Sequence, residues 1–168
     1  MANDVVHSAD GTTIAYETFG RAPALIVVCG ATCDRALMRP TAQALGEHFT
    51  TVNYDRRGRG SSGDTLPYAV EREIEDLGTL LDRSGGSAHL YGHSSGAGLV
   101  LRAVAAGLPV NRFVLQVEDR LSGRGRVSRP HRRGYRTPSD AVAGWFCAAA
   151  QLARKVSACS VSEPGSAV

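Results

Sequence analysis

Hydrophobic and polar residues follow one another along the chain in two patterns, one typical of helices and one typical of strands. Apolar residues within Val70 to Ser84 recur at positions 70, 74, 77, 80 and 81, the spacing of a helix with one buried face. Ala24 to Cys29 is a continuous apolar run that ends at Gly30, as in a strand buried on both faces. These patterns predict strands at 5–8, 12–19, 24–29, 50–55, 88–91 and 111–117, and helices at 35–45, 70–84 and 97–106.

The order of these elements predicts an α/β fold. Asp10-Gly11 between the first two strands is a strong signal for an antiparallel hairpin. From residue 24 onwards strands and helices alternate, which is typical of parallel strands. We therefore expect a mainly parallel sheet with an antiparallel hairpin at one edge, and a ligand site at the carboxyl ends of the strands. Pro40 lies within the first predicted helix, so this helix either begins near Pro40 or is kinked there.

The segment Gly92-His93-Ser94-Ser95-Gly96 follows an apolar strand and precedes a helix-compatible run of small residues. It is the G-x-S-x-G pattern in the strand–turn–helix context that gives the pattern its meaning. A serine on so tight a turn has strained backbone, and the helix passes so close to the strand that Gly92 and Gly96 have no room for a β-carbon. Such a turn lifts the Ser94 hydroxyl clear of the sheet and directs the amide of Ser95 to the place where an oxyanion develops.

We interpret two charged segments as structural features and not as functional sites. Arg56 to Asp64 is a basic, glycine-rich loop, which we interpret as a turn whose arginines form salt bridges or face solvent, in preference to an anion or nucleic-acid contact. Glu71, Glu73, Glu75 and Asp76 cluster in the first turns of the next helix, where they suit its dipole. We expect these carboxylates on the solvated side of that helix, and not in acid–base chemistry.

Composition and charge narrow the class of protein. The 168 residues are 43% hydrophobic and 21% charged, as in a globular domain. Residues 1–115 contain 10 Arg and 12 acidic residues, a net charge of −2, whereas residues 116–168 contain 9 basic and 4 acidic residues, a net charge of +5. There is no signal-peptide pattern and no apolar run of membrane-spanning length, so we expect a cytoplasmic protein whose four cysteines are free thiols. Cys29-x3-Cys33 lacks the spacing of a zinc site, and no metal or organic cofactor is implied.

Three segments together resemble the α/β-hydrolase family over about residues 10–117. Gly92 to Gly96 looks like the nucleophile elbow of that family. Asp55 to Ser62 looks like the D-x-R-G-x-G-x-S turn after the fourth strand, and Cys29-Gly30-Ala31 takes the place of the His-Gly-x segment after the third strand. His93, inside the elbow, is expected to pack inward and not to act as a base. The resemblance implies acyl transfer through an acyl-enzyme.

The resemblance also implies roles for individual residues. Ser94 is expected to be the nucleophile, and the backbone amides of Ser95 and Ala31 are expected to form the oxyanion hole. The family mechanism needs an acid and a histidine after the serine in chain order. His131 is the one histidine that follows Ser94 in the sequence, and Asp119 is the best acid before it, so these two residues complete the expected triad.

The resemblance stops after the last predicted strand. Residues 118–136 are rich in Arg and Gly, and residues 137–168 are rich in Ala, Ser and Cys, without the pattern of a strand. The change from net acidic to net basic falls at the same boundary. We therefore expect a hydrolase-like core at 1–117 and an atypical tail at 118–168, with one helix at 138–157, as the result of a truncated gene or a lost reading frame. A sheet edge left exposed after the last strand would favour a homo-oligomer.

The function that these patterns favour is hydrolysis of an ester or related acyl bond in a small-molecule substrate, which a truncation would impair. One alternative is a hydrolase-like protein that binds without catalysis. Another is a dinucleotide-binding reductase, suggested by Gly92-x3-Gly96-x-Gly98 but disfavoured because several strands precede it and Arg112, not an acid, stands about 20 residues later. Nucleic-acid binding is disfavoured because the basic part of the tail lacks interleaved aromatic residues apart from Tyr135.

Overall fold

The computed structural model describes residues 4–21 and 23–117, which form six strands and three helices. The elements are β1 (Asp4–His7), β2 (Thr13–Phe19), β3 (Ala24–Val28), α1 (Arg35–Leu45), β4 (Thr50–Tyr54), α2 (Val70–Arg83), β5 (Ala88–His93), α3 (Ser95–Ala105) and β6 (Val110–Gln116). This is the order that the sequence predicted, and the predicted α/β class is confirmed. In the part of the chain that the structure describes, no helix is long and apolar enough to cross a membrane.

All six strands form one sheet in the order β1-β2-β4-β3-β5-β6. β1 pairs antiparallel with β2, where Val5 lies opposite Ala15, and β2 pairs antiparallel with β4. β4, β3, β5 and β6 are parallel neighbours. The sheet is therefore mainly parallel with the antiparallel hairpin at one edge, as predicted. Gly11 turns the hairpin with φ 82°, a conformation that glycine adopts without steric cost.

Helices cover both faces of the sheet. The chain moves from β3 outward to β4 and then crosses β3 to reach β5, so right-handed crossovers place α1 and α2 on opposite faces. α2 and α3 contact each other, and α1 packs against β4 and β2. The main apolar cluster lies under α2 and α3 and includes Ile14, Ile26, Val28, Tyr54, Leu77, Leu80, Leu81, Leu90, Leu99 and Val100.

The strand order reverses next to β3. The connection after β3 leads to β4 on one side, whereas the connection after β5 leads to β6 on the other side. A crevice therefore lies at the carboxyl ends of β3 and β5, and open α/β sheets bind ligands at such a point. Gly30 follows β3 and Ser94 follows β5, so both segments that the sequence singled out lie at this crevice.

α1 begins five residues before Pro40. Asp34 caps the helix, because its Oδ1 accepts the N–H of Leu37 at 2.9 Å. Pro40 lies inside the helix, so the alternative in which the helix begins near Pro40 is wrong. The cap at Asp34 fixes the end of the short loop that joins β3 to α1.

Candidate active site

Ser94 occupies a tight turn between β5 and α3, which we call the Ser94 turn (residues 92–97). Its backbone has φ 53° and ψ −121°, and no other non-glycine residue in 4–21 and 23–117 has a positive φ. Such backbone strain costs on the order of 1–3 kcal/mol and persists only where the surroundings hold it. The N–H of Ser94 donates to the carbonyl of Gln116 at 2.8 Å, and its own carbonyl accepts the N–H of Ala97 at 3.0 Å. Ser94 is exposed, so its hydroxyl is accessible from solvent.

Two glycines let the strand and the helix approach closely at this turn. A β-carbon on Gly92 would lie 2.8 Å from the Cα of Ala97, and one on Gly96 would lie 2.2 Å from the carbonyl oxygen of Val28. Real β-carbons do not come so close to backbone atoms. The steric requirement predicted for these two positions is therefore confirmed. Gly98 differs, because a β-carbon there would have no neighbour within 4 Å among the described residues.

The segment that follows β3 lies directly against the Ser94 turn. A β-carbon built on Gly30 would lie 3.3 Å from the Cβ of Ser94 and 3.3 Å from the Nδ1 of His93. Ala31, the next residue, is exposed at the same crevice. His93 is buried, as expected for a residue that packs inward. Residues 29–31, which follow β3, therefore lie so close to the Ser94 turn that Gly30 leaves little room for a side chain.

The structure brings together three of the five residues predicted for the site. Ser94, Ser95 and Ala31 lie on the two segments that meet at the crevice. Their roles as nucleophile and oxyanion-hole donors stay predictions. Asp119 and His131, the predicted acid and base, lie outside the described residues together with the rest of the predicted tail.

The loop after β4 (residues 55–63, the Asp55 loop) is built around one buried carboxylate. Oδ1 of Asp55 accepts the N–H of Arg35 at 2.7 Å, and Oδ2 accepts the N–H of Ser61 at 2.9 Å. The Nε of Arg35 also lies 3.2 Å from Oδ2. Gly60 has φ 54°, and a β-carbon there would lie 2.3 Å from this carboxylate. Asp55 therefore ties the loop to the first residue of α1.

Two acids of α2 are buried ion-pair partners, so the solvated position predicted for them was wrong. Glu73 and Asp76 are 3% and 1% exposed. Glu73 accepts from Nε and Nη2 of Arg56 at 2.5 and 2.6 Å, and Asp76 accepts from Nε and Nη2 of Arg57 at 2.8 Å each. The salt bridges expected for these arginines are confirmed. The acids can be buried because each forms a two-pronged bond with a guanidinium from the Asp55 loop.

These pairs shift the pKa values of Glu73, Asp10 and Arg57 toward the charged forms. Burial opposes ionisation of Glu73 and is the largest single effect, but the hydrogen bonds and charge of Arg56, the hydrogen bond from Tyr68 and the charge of Arg59 together outweigh it, so the pKa of Glu73 is lowered. The hydrogen bond from Arg57 lowers the pKa of Asp10, whose Oδ2 lies 2.9 Å from Nη1 of that arginine. The hydrogen bond to Asp76 raises the pKa of Arg57 further above its ordinary value. Glu73, Asp10 and Arg57 therefore stay ionised at neutral pH.

Arg56 has two further contacts that sequence reasoning missed. Its Nη1 donates to the carbonyl of Cys29 at 3.2 Å and to the Oγ of Ser95 at 3.3 Å. Nearby, the Nη1 of Arg59 lies 3.5 Å from the carbonyl oxygen of Gly30. Arg56 is the variable residue of the D-x-R-G pattern, so the pattern does not indicate its partners. One chemical feature of the sequence could have indicated buried partners for Arg56. An arginine directly after a buried strand has five N–H groups that need acceptors.

The thiol of Cys29 is not a second nucleophile. Its Sγ donates to the carbonyl of Cys33 at 3.3 Å, and burial raises its pKa to about 11. The thiol is therefore protonated at neutral pH and poorly reactive. Both cysteines are free, as predicted, whereas Cys147 and Cys159 lie outside the described residues.

Comparison with known proteins agrees with this geometry. Residues 25–164 match a protein-family model described as the alpha/beta hydrolase family. The N-formylmaleamate deformylase of Pseudomonas putida (strain KT2440) is 37% identical over 127 residues, which cover 73% of this chain and 47% of that protein.

Solved structures are similar over the same part of the chain. An alpha/beta hydrolase from Sphaerobacter thermophilus DSM 20745 is 54% identical with a TM-score of 0.66, over 67% of this chain and 44% of that one. The N-formylmaleamic acid deformylase of Pseudomonas putida S16 is 26% identical with a TM-score of 0.62, over 68% of this chain and 46% of that one. This chain thus spans less than half the length of each of these three relatives. Because the family model matches most of the sequence and the fold agrees, the chain belongs to the alpha/beta hydrolase family.

Proposed function

We propose that this protein is a serine hydrolase that cleaves an ester or a related acyl bond of a small-molecule substrate. The observation that carries the proposal is the backbone of Ser94, which has φ 53° at the carboxyl end of β5, where the strand order reverses. A strained strand-to-helix turn of this kind presents a nucleophile above the sheet. The family to which the chain belongs supports the same chemistry.

The proposed reaction passes through an acyl-enzyme. The Oγ of Ser94 attacks the carbonyl carbon of the substrate while His131 takes the hydroxyl proton. The amides of Ser95 and Ala31 stabilise the negative charge that develops on the carbonyl oxygen. The protonated histidine gives its proton to the leaving group, and a water molecule then releases the acid and restores Ser94. Asp119 orients the histidine and stabilises its charged form.

The proposal assigns different parts of the chemistry to different parts of the chain. Residues 1–117 supply the nucleophile and the oxyanion hole, and residues 118–168 supply the acid and the base. The names of the two deformylases indicate that those proteins act on an N-formyl group attached to nitrogen. For this chain we therefore propose that formyl amides belong to the range of acyl bonds to be tested beside simple esters.

Covalent labelling of the 168-residue chain with a fluorophosphonate probe tests the nucleophile. We expect the probe to label the folded protein and mass spectrometry of its peptides to locate the adduct on Ser94. The Ser94→Ala variant should not be labelled, whereas Ser87→Ala, which removes a serine from the loop before β5, should be labelled like the wild type. Folded wild-type protein that is not labelled would contradict the hydrolase mechanism and favour a protein that binds without catalysis.

Turnover of p-nitrophenyl acetate and of N-formylmaleamate tests the base. His131→Asn should lower kcat/KM about 100- to 10,000-fold, the contribution of general acid–base catalysis. His7→Asn, which changes an exposed histidine on β1, is the matched control and should leave kcat/KM unchanged. Equal activity of these two variants, with Ser94 still labelled, would show that His131 is not the base.

A further inference from the structure

The way in which Arg56 distributes its hydrogen bonds leads to a further inference, which rests on the proposed function. Arg56 is 6% exposed. Its Nε and Nη2 donate to the two carboxylate oxygens of Glu73, and this leaves three N–H bonds, two of which are on Nη1. One Nη1 bond is directed to the carbonyl of Cys29, and the other to the Oγ of Ser95. A single guanidinium group therefore connects α2, the end of β3 and the start of α3.

The two acceptors of Nη1 belong to the two segments that carry the proposed oxyanion-hole amides. Ser95 itself carries one of these amides. The carbonyl of Cys29 forms the peptide bond to Gly30, and Ala31 follows directly. Because a guanidinium is planar and its donors have a fixed spacing, it holds two acceptors at a defined separation. A flexible ammonium group cannot impose the same geometry.

We propose that Arg56 is a positioning residue that sets the separation between the amides of Ala31 and Ser95. Glu73 holds the guanidinium in place through its two-pronged bond. The hydroxyl of Tyr68 donates to Oε1 of Glu73 at 2.8 Å, so the carboxylate is itself oriented. Arg56 does not contact the reacting atoms and acts through the two backbone segments that it joins.

Arg57 offers a matched comparison inside the same loop. It is 4% exposed and forms a two-pronged bond with Asp76, which also lies on α2. Among the described residues, its other hydrogen bonds go to Asp10 on the N-terminal hairpin, and not to residues 29–31 after β3 or to the Ser94 turn. Arg56→Lys and Arg57→Lys therefore disturb equivalent buried ion pairs, but Arg56→Lys alone disturbs the link between the two amides.

The test measures kcat and KM for p-nitrophenyl acetate and the rate of fluorophosphonate labelling in both variants. Arg56→Lys should lower kcat and the labelling rate about 10- to 100-fold with little change in KM, because the oxyanion exists only in the transition state. Arg57→Lys should keep kcat within about threefold of the wild type at a temperature where both variants are folded. Equal losses of kcat in the two variants would overturn the proposal.

Two further measurements keep the proposal testable if Arg56→Lys does not fold or the wild type shows no turnover. Ser95→Ala removes one acceptor of Arg56 but keeps the amide, and it should lower kcat by a smaller factor than Arg56→Lys; an unchanged kcat would overturn the proposal. Without turnover or labelling, the proposed function fails by itself. Amide hydrogen exchange then tests the positioning role of Arg56. The amides of Ala31 and Ser95 should exchange faster in Arg56→Lys or Ser95→Ala than in Arg57→Lys. Equal exchange would overturn the proposal.

Discussion

Two turns leave parallel strands at the same end of the sheet, and they are stabilised in different ways. The Ser94 turn depends on backbone contact, with Gly96 packed against the carbonyl of Val28. The Asp55 loop depends on charge, because Arg56 and Arg57 bind carboxylates of α2 and of the hairpin. Although Val28 is 68 residues from Gly96, the steric requirement of the first turn is visible in the sequence of the turn itself, as glycine at positions 92 and 96. The partners in the second are 17 to 47 residues away along the chain and are brought together by the fold.

This difference predicts how each turn responds to substitution. A backbone atom in van der Waals contact cannot move aside without shifting a whole strand, so an added methyl group has no low-energy alternative. A buried ion pair tolerates substitution better when both charged residues are replaced together. Removal of one partner, however, leaves an unpaired buried charge. Substitutions in the Ser94 turn should therefore have the largest effects.

Gly96→Ala should have the largest effect of all. Its β-carbon would lie 2.2 Å from the carbonyl oxygen of Val28, the last residue of β3, and 2.6 Å from that of Cys29, which follows it. We expect a loss of more than about 4 kcal/mol in the free energy of unfolding, measured by urea denaturation, or failure to fold. A Gly96→Ala protein as stable as the wild type would show that α3 and β3 are not in this close contact.

Asp76→Ala should have the next largest effect, because it leaves Arg57 charged and without its partner on α2. The side chain of Arg57 is fully buried, and loss of one member of a buried pair costs about 3–5 kcal/mol. Glu75→Ala is the control on the same helix, since its pair with Arg72 is partly exposed and worth at most about 1 kcal/mol. Similar losses in these two variants, measured by urea denaturation, would contradict the buried position of Asp76.

The same contrast explains how much could be predicted from the sequence. The order of the elements and the glycines of the Ser94 turn follow from local patterns, because strand and helix periodicity and close backbone approach leave their signature on neighbouring residues. The burial of Glu73 and Asp76 could not be predicted in this way. Their positions on the helix are typical of a solvated face, because the arginines that neutralise them are brought close only by the tertiary fold. The contact between Ser95 and Arg56 could not be predicted for the same reason.

Gly98→Ala should have a small effect of the opposite sign. Gly98 lies inside α3, and a β-carbon there meets no described atom within 4 Å apart from the backbone of its own helix and its chain neighbours. Replacing glycine by alanine in a helix stabilises it by roughly 0.5–1 kcal/mol, because alanine loses less backbone entropy on folding. The urea midpoint should therefore rise in Gly98→Ala while it falls in Gly96→Ala. A fall in both variants would mean that α3 is crowded along its whole first turn and not only where it crosses β3.

The smallest expected effect is a change in how the free energy of unfolding depends on pH. This dependence distinguishes stabilisation by charge from stabilisation by steric contact. The pKa values of Asp10 and Glu73 are lowered from their ordinary values of 3.8 and 4.5, so their contribution to stability is complete above those values and is lost as the pH falls below them. In Asp10→Asn, which cannot ionise, the free energy of unfolding should fall less steeply between pH 5 and pH 3 than in the wild type. Gly98→Ala changes no charge and should shift the free energy equally at both pH values. If Asp10→Asn keeps the wild-type slope in urea titrations at pH 5, 4 and 3, the bond between Asp10 and Arg57 does not contribute to the acid stability of the Asp55 loop.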